Sequence, residues 1–585
     1  MRSRLFALWS FAALSTAGAQ QIRGVVRDGA TSAPLPGAVV TLVDSAGVTA
    51  SRTIADGEGR FGLVSGPRAA RLHLIRIGYQ PRDVELPSRR DTVLQLAMIG
   101  LPPVLAVVHV TDHELCPGSP DRGPAFQLWA EARDGLLAAV VAREAKPADA
   151  TTLVFERDLA PDDRVRRQRV TTQAGRMTRP FFAAFPARMF AERGYMREDS
   201  AGRTYSAPDA DVLLDESFAV THCFHLRSAD IEHRSQVGLE FTPVPGRDSI
   251  VDVSGVVWLD DSVPALRSLD FQFVGLEPAA ASVGTGGHLE FHAMPNGVSF
   301  VEWWVLRLPV LVFPQVKDMF GQAPPLPARR QDRSMLRVAE VHESGGQVTA
   351  ASWADGMTWH QRPNAIVGTV VDRNGSTPVA NALATLAGTV DTTLSGPDGQ
   401  FTFARVLPGK YSLTVIDTTL HAFTSDRVQR RSIQVARGEI AEVKIMLSPL
   451  ADVIADLCRG QRMRDRTSLL VGRVSLPRDS PMRGGRIHAS WQATFNGGSP
   501  VFVAGDSPSG ARGVSIDNAT QDIDLDDEGH FVVCGVARDR PIHLRFSHDN
   551  ATADTIVFAR DSLMKTVEWW PRMASPVEGR AKPPN

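Results

Sequence analysis

Few stretches of this chain place reactive side chains at a working spacing. The densest is His222-Cys223-Phe224-His225. On a strand, His222 and Cys223 point to opposite faces and only Cys223 and His225 share one, too few ligands for a zinc site, which needs a tetrahedral set. His113-Glu114 opens like H-E-x-x-H, but Leu115, Cys116 and Pro117 follow and no second His stands in register. Asp522, Asp524 and Asp526 alternate along a stretch patterned as a strand, and calcium takes such oxygens in exported proteins. Asp527 stands where an EF-hand loop has its glycine, so the bland reading is the wet face of a strand. Gly505 to Gly510 differs from G-x-S-x-G at Ser509, and Ser507 has no His or Asp placed to activate it. The residues therefore predict no catalytic site and no cofactor, calcium being the one ion on offer.

Binding is better represented. Trp303-Trp304, if on a strand, sends one ring into the core and offers the other as a stacking platform for a sugar ring. Trp569-Trp570 repeats the arrangement. Arg164 to Arg169, RVRRQR, reads as a solvated strand face, with an anionic ligand as the sharper alternative. The formal charge is −2. Without a basic excess to track a phosphate backbone, nucleic acid is not a partner.

The elements that position these residues belong to an exported, turn-rich chain. Arg2 and Arg4 precede an apolar stretch from Leu5 to Leu14, and Ala17-Gly18-Ala19 forms an A-x-A cleavage site. That order predicts a signal peptide over 1–19; its removal takes the charge from −2 to −4. The apolar run from Val93 to Val110 is broken by Pro102-Pro103, so no membrane span is expected after cleavage. Export leaves the periplasm, the outer-membrane surface and the extracellular space open. The four cysteines, Cys116, Cys223, Cys458 and Cys534, fall two to each half. They predict the disulfides Cys116–Cys223 and Cys458–Cys534, the other two connectivities being less economical.

Three stretches repeat. IRGVVRDGATSAPLPGAVVTLVD is followed by IADGEGRFGLVSG; AIVGTVVDRNGSTPVANALATLAG by LSGPDGQFTFARVLPG; and LLVGRVSLPRDSPMRGGRIHASW, after an insertion, by LDDEGHFVVCGVARDRPIHLRF. Gly24, Gly368 and Gly472 correspond, as do Pro34, Pro378 and Pro481. Gly59, Gly399 and Gly529 fill a turn position of positive φ, and Phe61, Phe401 and Phe531 follow. Alternating apolar residues between turns imply short strands in two packed sheets. The G-x-V-x-D, P-x-x-G-A and D-x-x-G-x-F-x-F series, with a closing P-G-x-Y-x-L, resembles the carboxypeptidase regulatory-like domain. The resemblance implies a transthyretin-like sandwich. Such modules sit beside zinc carboxypeptidases, ahead of TonB-dependent receptors and in surface proteins, so the resemblance implies no peptidase activity. Val104 to Thr111 resembles the stretch that joins the module to a receptor plug, but no barrel of alternating strands follows.

Residues 123–360 differ. Pro124 opens an amphipathic helix with Leu128, Ala132, Leu136 and Val140 on one face and Trp129 beside it. Hairpins follow, turning at Asp260 to Pro264, at Pro295-Asn296-Gly297 and at Ser344 to Gly346. A helix followed by a long antiparallel meander is similar in order to lipoprotein-sorting, LolA-like half-barrels.

The fold expected is mainly β, with three transthyretin- or immunoglobulin-like sandwiches flanking an α+β domain, a helix on a curved antiparallel sheet. Its boundaries are 20–100 for the first sandwich, 101–122 a linker, 123–360 the helix-plus-sheet domain, 361–449 the second sandwich, 450–467 a linker with a short helix, 468–572 the third sandwich and 573–585 a disordered tail. The function expected is non-enzymatic binding or scaffolding in the cell envelope, with an envelope protein or glycan as partner. The alternatives are a transport accessory holding an apolar ligand in the middle domain, and an unrecognised hydrolase.

Overall fold

The computed structural model describes residues 20–65, 69–86, 93–101, 116, 124–177, 186–199, 202–261, 265–312, 336–375, 377–424, 427–459, 467–476, 480–482, 484–496, 499–500, 514–549, 551–560 and 564–571. The signal-peptide, Ser507 and Val104 to Thr111 stretches lie outside them. The chain divides into two compact units, residues 1–363 and 364–585.

The first unit opens with a sandwich. Gln20–Asp28 lies between Arg60–Ser65, antiparallel, and Leu94–Met98, parallel. The facing sheet runs Thr49–Ile54, Val39–Asp44, Ala69–Ile75, Arg82–Glu85. Alternation does the sorting: Val26, Leu42, Leu72 and Met98 are fully buried between the sheets.

The rest of this unit is built on a long helix and a ten-stranded antiparallel sheet, with four shorter helices and the hairpin of Met196–Asp199 and Gly202–Tyr205 beside them among the described residues. The sheet runs from His222–Arg227 through Gln236–Pro243, Asp252–Asp260, Leu266–Val274, Gly286–Ala293, Ser299–Val312 and Arg337–Trp353. It ends with Ala148–Leu159 and Val165–Arg176, while Thr358–His360 pairs with the end of Arg337–Trp353. The simple meander expected from the sequence is thus modified: the first hairpin of this domain, Ala148–Leu159 with Val165–Arg176, closes onto Arg337–Trp353. Helix Pro124–Ala145 buries Leu128, Trp129, Ala132 and Leu136 against Leu239, Phe241, Leu269 and Phe271. Trp129 stacks on Phe224 at 4.4 Å between ring centres.

The predicted turn at Ser344 to Gly346 is not a turn. Arg337–Trp353 runs through it as one strand of 17 residues. A Cβ on Gly346 would lie 2.1 Å from the Trp304 ring, and one on Gly345 2.5 Å from the Phe155 ring. The glycines serve the close approach of aromatic rings from neighbouring strands, not a reversal.

The first sandwich rests on this domain. Val39, Ile54 and Ile75 join Val141 and Ala142 of the helix and Met294 and Val298 of the sheet in one apolar cluster. The backbones of Gly37 and Gly297, both at positive φ, touch where two turns meet.

The second unit holds two more sandwiches built on the same plan. In one, Ala365–Asp372 lies between Gln400–Ala404, antiparallel, and Ile440–Leu447, parallel. In the other, Thr467–Leu476 lies between His530–Ala537, antiparallel, and Met564–Trp569, parallel. The facing sheets are Thr392–Leu394, Ala382–Leu386, Gly409–Asp417, Val428–Val435, and then Val514–Asp524, Arg486–Asn496, Pro541–His548, Ala551–Phe558. The insertion of the third copy lengthens the first of these edge strands from three residues to eleven. The short helix expected before it is Leu450–Leu457, which packs Val453 and Ile454 with Leu420, Leu469 and Val471.

The repeated glycines have one role in all three copies. Gly59, Gly399 and Gly529 have φ of +71°, +75° and +82°. The carbonyl of each accepts the N–H of Val26, Val370 or Val474 at 2.8 Å. A Cβ there would press on the carbonyl oxygen of that same valine at 2.3–2.4 Å.

Candidate functional site

The sheet presents its chemistry on two faces, and neighbouring tryptophans divide between them. Trp303 is buried and stacks on Phe155 at 5.3 Å. Trp304 points to the face that carries the helix, packing beside Leu306 and Leu308. Its six-membered ring covers Gly346.

Beside Trp304 lies a cavity of about 380 Å³. The strands Ala148–Leu159, Val165–Arg176 and Arg337–Trp353 build it, and register sets its walls. Thr152 lies across from Gln173 and Val348, and Glu156 across from Ser344. Trp304, Val154 and Val348 supply apolar surface; Thr152, Glu156, Gln173, Arg176 and Ser344 supply polar groups. A second, narrower crevice of about 60 Å³ runs between the helix and the sheet, lined by Leu136, Val140, Leu213, Leu289 and Phe291 among others.

Elsewhere in the domain several charges pair with one another. Glu343 and Arg157, both buried, form an ion pair, and Arg307 donates to Glu343 at 2.7 Å. Asp158 accepts from Arg167 at 2.5 Å and lies 2.9 Å from His342 Nδ1. Of the RVRRQR run, Arg164 pairs with Asp162 as Arg167 does with Asp158; Arg166 and Arg169 face solvent on the terminal strand of the sheet. His288 sets one ring nitrogen on Asp270 and the other on Glu290.

The side chains of the His222–His225 stretch are engaged within the protein. His222 is buried; its Nδ1 lies 3.1 Å from the Phe218 carbonyl and its Nε2 3.1 Å from that of Val253. Asp252, 3.5 Å away, is equally buried and accepts from Arg247 at 2.5 Å. Burial pushes the Asp252 carboxyl up, but His222, Arg247 and the Val253 amide together outweigh it and hold the group below its usual range. Cys223 is bonded to Cys116, and His225 meets Glu240 at 2.8 Å. Cys458 is bonded to Cys534.

The calcium candidates do not converge. Asp522 is 2.7 Å from His488, and Asp524 2.8 Å from Arg486, each on the exposed face of a strand pair. Each carboxylate faces a basic residue on the adjoining strand instead of a shared centre. Asp526 lies with Glu528 and His530, their ligand atoms within 4.8 Å of one another. That cluster belongs to the turn: Asp526 accepts the N–H groups of Glu528 and His530, as Asp56 accepts those of Glu58 and Arg60 in the first sandwich. Trp569 sits edge-on to Phe546, and Trp570 is half exposed.

One carboxyl departs from its ordinary value in a way the sequence does not announce. Asp134, on the helix where the first sandwich docks, is pushed up to about 7 by burial, against the pull of His73 and Arg133.

Comparison with known proteins assigns the modules. The family model of the carboxypeptidase regulatory-like domain matches residues 21–99 and 365–448. These two sandwiches are regulatory-like domains. The third lies outside the matched residues but repeats their strand pairing, their glycine turn and their glycine–phenylalanine pair. No curated protein matches the chain. Among solved structures, a streptococcal ancillary pilin is similar at 10% identity over 40% of this chain and 78% of its own, TM-score 0.16. The shaft pilin SpaA from Lactobacillus rhamnosus GG is similar at 11% identity over 37% of this chain and 100% of its own, TM-score 0.14. The Bacillus anthracis TIE protein is similar at 8% identity over 64% of this chain and 63% of its own, TM-score 0.17. Likenesses this loose carry no argument about function.

Proposed function

We propose that this is an exported, non-enzymatic binding and scaffold protein of the cell envelope. Regulatory-like sandwiches serve as structural modules, and the helix-plus-sheet domain holds the binding site. The observation that carries this reading is the cavity beside Trp304. Its volume of about 380 Å³ falls within the roughly 300–1,000 Å³ of small-molecule sites, and it mixes apolar walls with a few polar groups as such sites do. The two disulfides fit an exported protein, and no helix among the described residues is long and apolar enough to cross a membrane.

The transport reading, with an apolar ligand under the helix, has less support. The apolar crevice there measures about 60 Å³, room for a few waters at roughly 10–15 Å³ each rather than for an acyl chain.

Purified residues 20–585 should show no peptidase, esterase or glycosidase turnover, with or without added zinc or calcium. Reproducible turnover abolished by a single substitution at His222, His225 or Ser507 would overturn the proposal. Protease shaving of intact cells after fractionation separates the periplasm from the cell surface.

A further inference from the structure

We infer that the groove beside Trp304 binds a neutral saccharide, stacking a pyranose ring on the indole and holding its hydroxyls with Glu156, Arg176 and Gln173. This rests on the binding reading above and names the ligand class for that site.

The groove has spare hydrogen-bonding capacity. Thr152, Glu156, Gln173, Arg176 and Ser344 line one cavity, and among the described residues none of their side chains has a hydrogen bond or ion pair to the protein. Two residues along the same strand the opposite holds, where Asp158 engages both Arg167 and His342. Glu156, Gln173 and Arg176 are exposed and Thr152 and Ser344 half-buried, so all five are open to the hydroxyls of a ligand. Their chemistry is complementary to hydroxyls. A carboxylate accepts from two, a guanidinium donates in a fork, and an amide does both.

An aromatic plate is set among them. The Trp304 ring is held in place over Gly346, where any side chain would displace it, and Val154 and Val348 extend its apolar surface. A pyranose has the matching pair of surfaces, an apolar C–H face and a rim of hydroxyls. An acyl chain would bury the five polar groups without partners, at a cost for each.

Charge narrows the class. Glu156 and Arg176 are the charged groups lining the cavity, and they cancel. An acidic sugar would gain from Arg176 what it loses to Glu156, so the site favours a neutral ring. Volume limits its length, since about 380 Å³ sits near the lower end of the roughly 300–1,000 Å³ of ligand sites. One or two rings fill it, and a longer chain runs on past the exposed terminal strand Val165–Arg176.

The test is calorimetric titration of residues 20–585 with maltohexaose, cellohexaose and N-acetylated chitohexaose, and with a hexamer of galacturonic acid as the acidic probe. At least one neutral oligosaccharide should bind saturably. Trp304→Ala should weaken it by about ten-fold or more, the equivalent of roughly 1.4 kcal/mol, while Trp304→Phe keeps most of the affinity. Because Trp304 also packs against its neighbours, Glu156→Gln and Gln173→Ala on the open wall carry the test independently, each expected to weaken binding several-fold with an unchanged melting curve. The inference falls if none of the three neutral probes binds, if binding is indifferent to Glu156→Gln and Gln173→Ala, or if the acidic hexamer binds more tightly. Each of those results removes the saccharide from this groove and leaves the binding reading standing. Turnover of a bound oligosaccharide would instead sink the non-enzymatic reading itself.

Discussion

The ring of Phe401 lies over Gly368 across the antiparallel pair of the second sandwich, so that a Cβ on Gly368 would sit 2.1 Å from the ring Cζ. Gly24 with Phe61 and Gly472 with Phe531 repeat the arrangement at 2.5 and 2.4 Å. Each phenylalanine is buried and cannot swing away. The pairing follows a known device of sheets, in which an aromatic ring on one strand shields a glycine on the next. Gly368→Ala should therefore destabilise the second sandwich by about 1–3 kcal/mol through overpacking. Denaturant titration checks this, and Gly368→Ala combined with Phe401→Leu should recover part of the loss.

Gly399 is held by conformation as well as by space. With φ at +75°, Gly399→Val should cost more than about 1 kcal/mol, because a β-branched residue resists that region. An unchanged thermal melt of the variant would contradict the turn assignment.

Asp134 makes stability depend on pH in an unusual direction. Its folded-state value is raised to about 7 by burial, above the roughly 3.9 of the unfolded chain. Between those two values the folded state binds more protons than the unfolded one, so stability falls as pH rises through that window and then levels. Asp134→Asn should remove this slope and raise stability at pH 8 by about 1–4 kcal/mol. Melting curves from pH 4 to 8 read it directly.

Asp252 acts in the opposite sense. Its folded value is lowered, so the stability it contributes is present above the unfolded value of roughly 3.9 and is lost as pH falls through the folded one. Asp252→Asn should cost about 3–5 kcal/mol at pH 7, because Arg247 is left without its counter-charge. The difference from the parent should shrink steadily below about pH 4.

The disulfide Cys458–Cys534 joins the end of helix Leu450–Leu457 to a strand of the third sandwich and closes a span of 76 residues. Replacing both cysteines by serine should cost about 2–4 kcal/mol by freeing the unfolded chain. Non-reducing peptide mapping should return this link and Cys116–Cys223, with no free thiol.

The sandwiches were legible because their signals are local. Glycine at a positive-φ turn, a phenylalanine two residues on and short alternating strands all lie within a few positions of one another. The groove was not, because its walls come from strands far apart in the chain: Glu156 meets Ser344 only through a pairing that closes the sheet. Of the doublet Trp303-Trp304, which alternation alone divides between faces, Trp304 lines one wall. Gly345-Gly346 misled for a related reason. Paired glycines signal a turn when read along the chain, and only the rings of Phe155 and Trp304, delivered from other strands, show that they clear space. Asp134 gives no local signal either, as its burial depends on a sandwich that ends some thirty residues earlier.

The parallel pairing of first and last strands has a mechanical consequence. In each sandwich the chain enters along Gln20–Asp28, Ala365–Asp372 or Thr467–Leu476 and leaves along a neighbour that runs the same way. Entry and exit therefore lie at opposite ends of the module. Tension applied to the two ends pulls the adjoining strands lengthwise past each other, and the hydrogen bonds between them share the load instead of opening one at a time. Antiparallel neighbours gripped at adjacent ends would unzip. All three modules of this chain share that shear geometry.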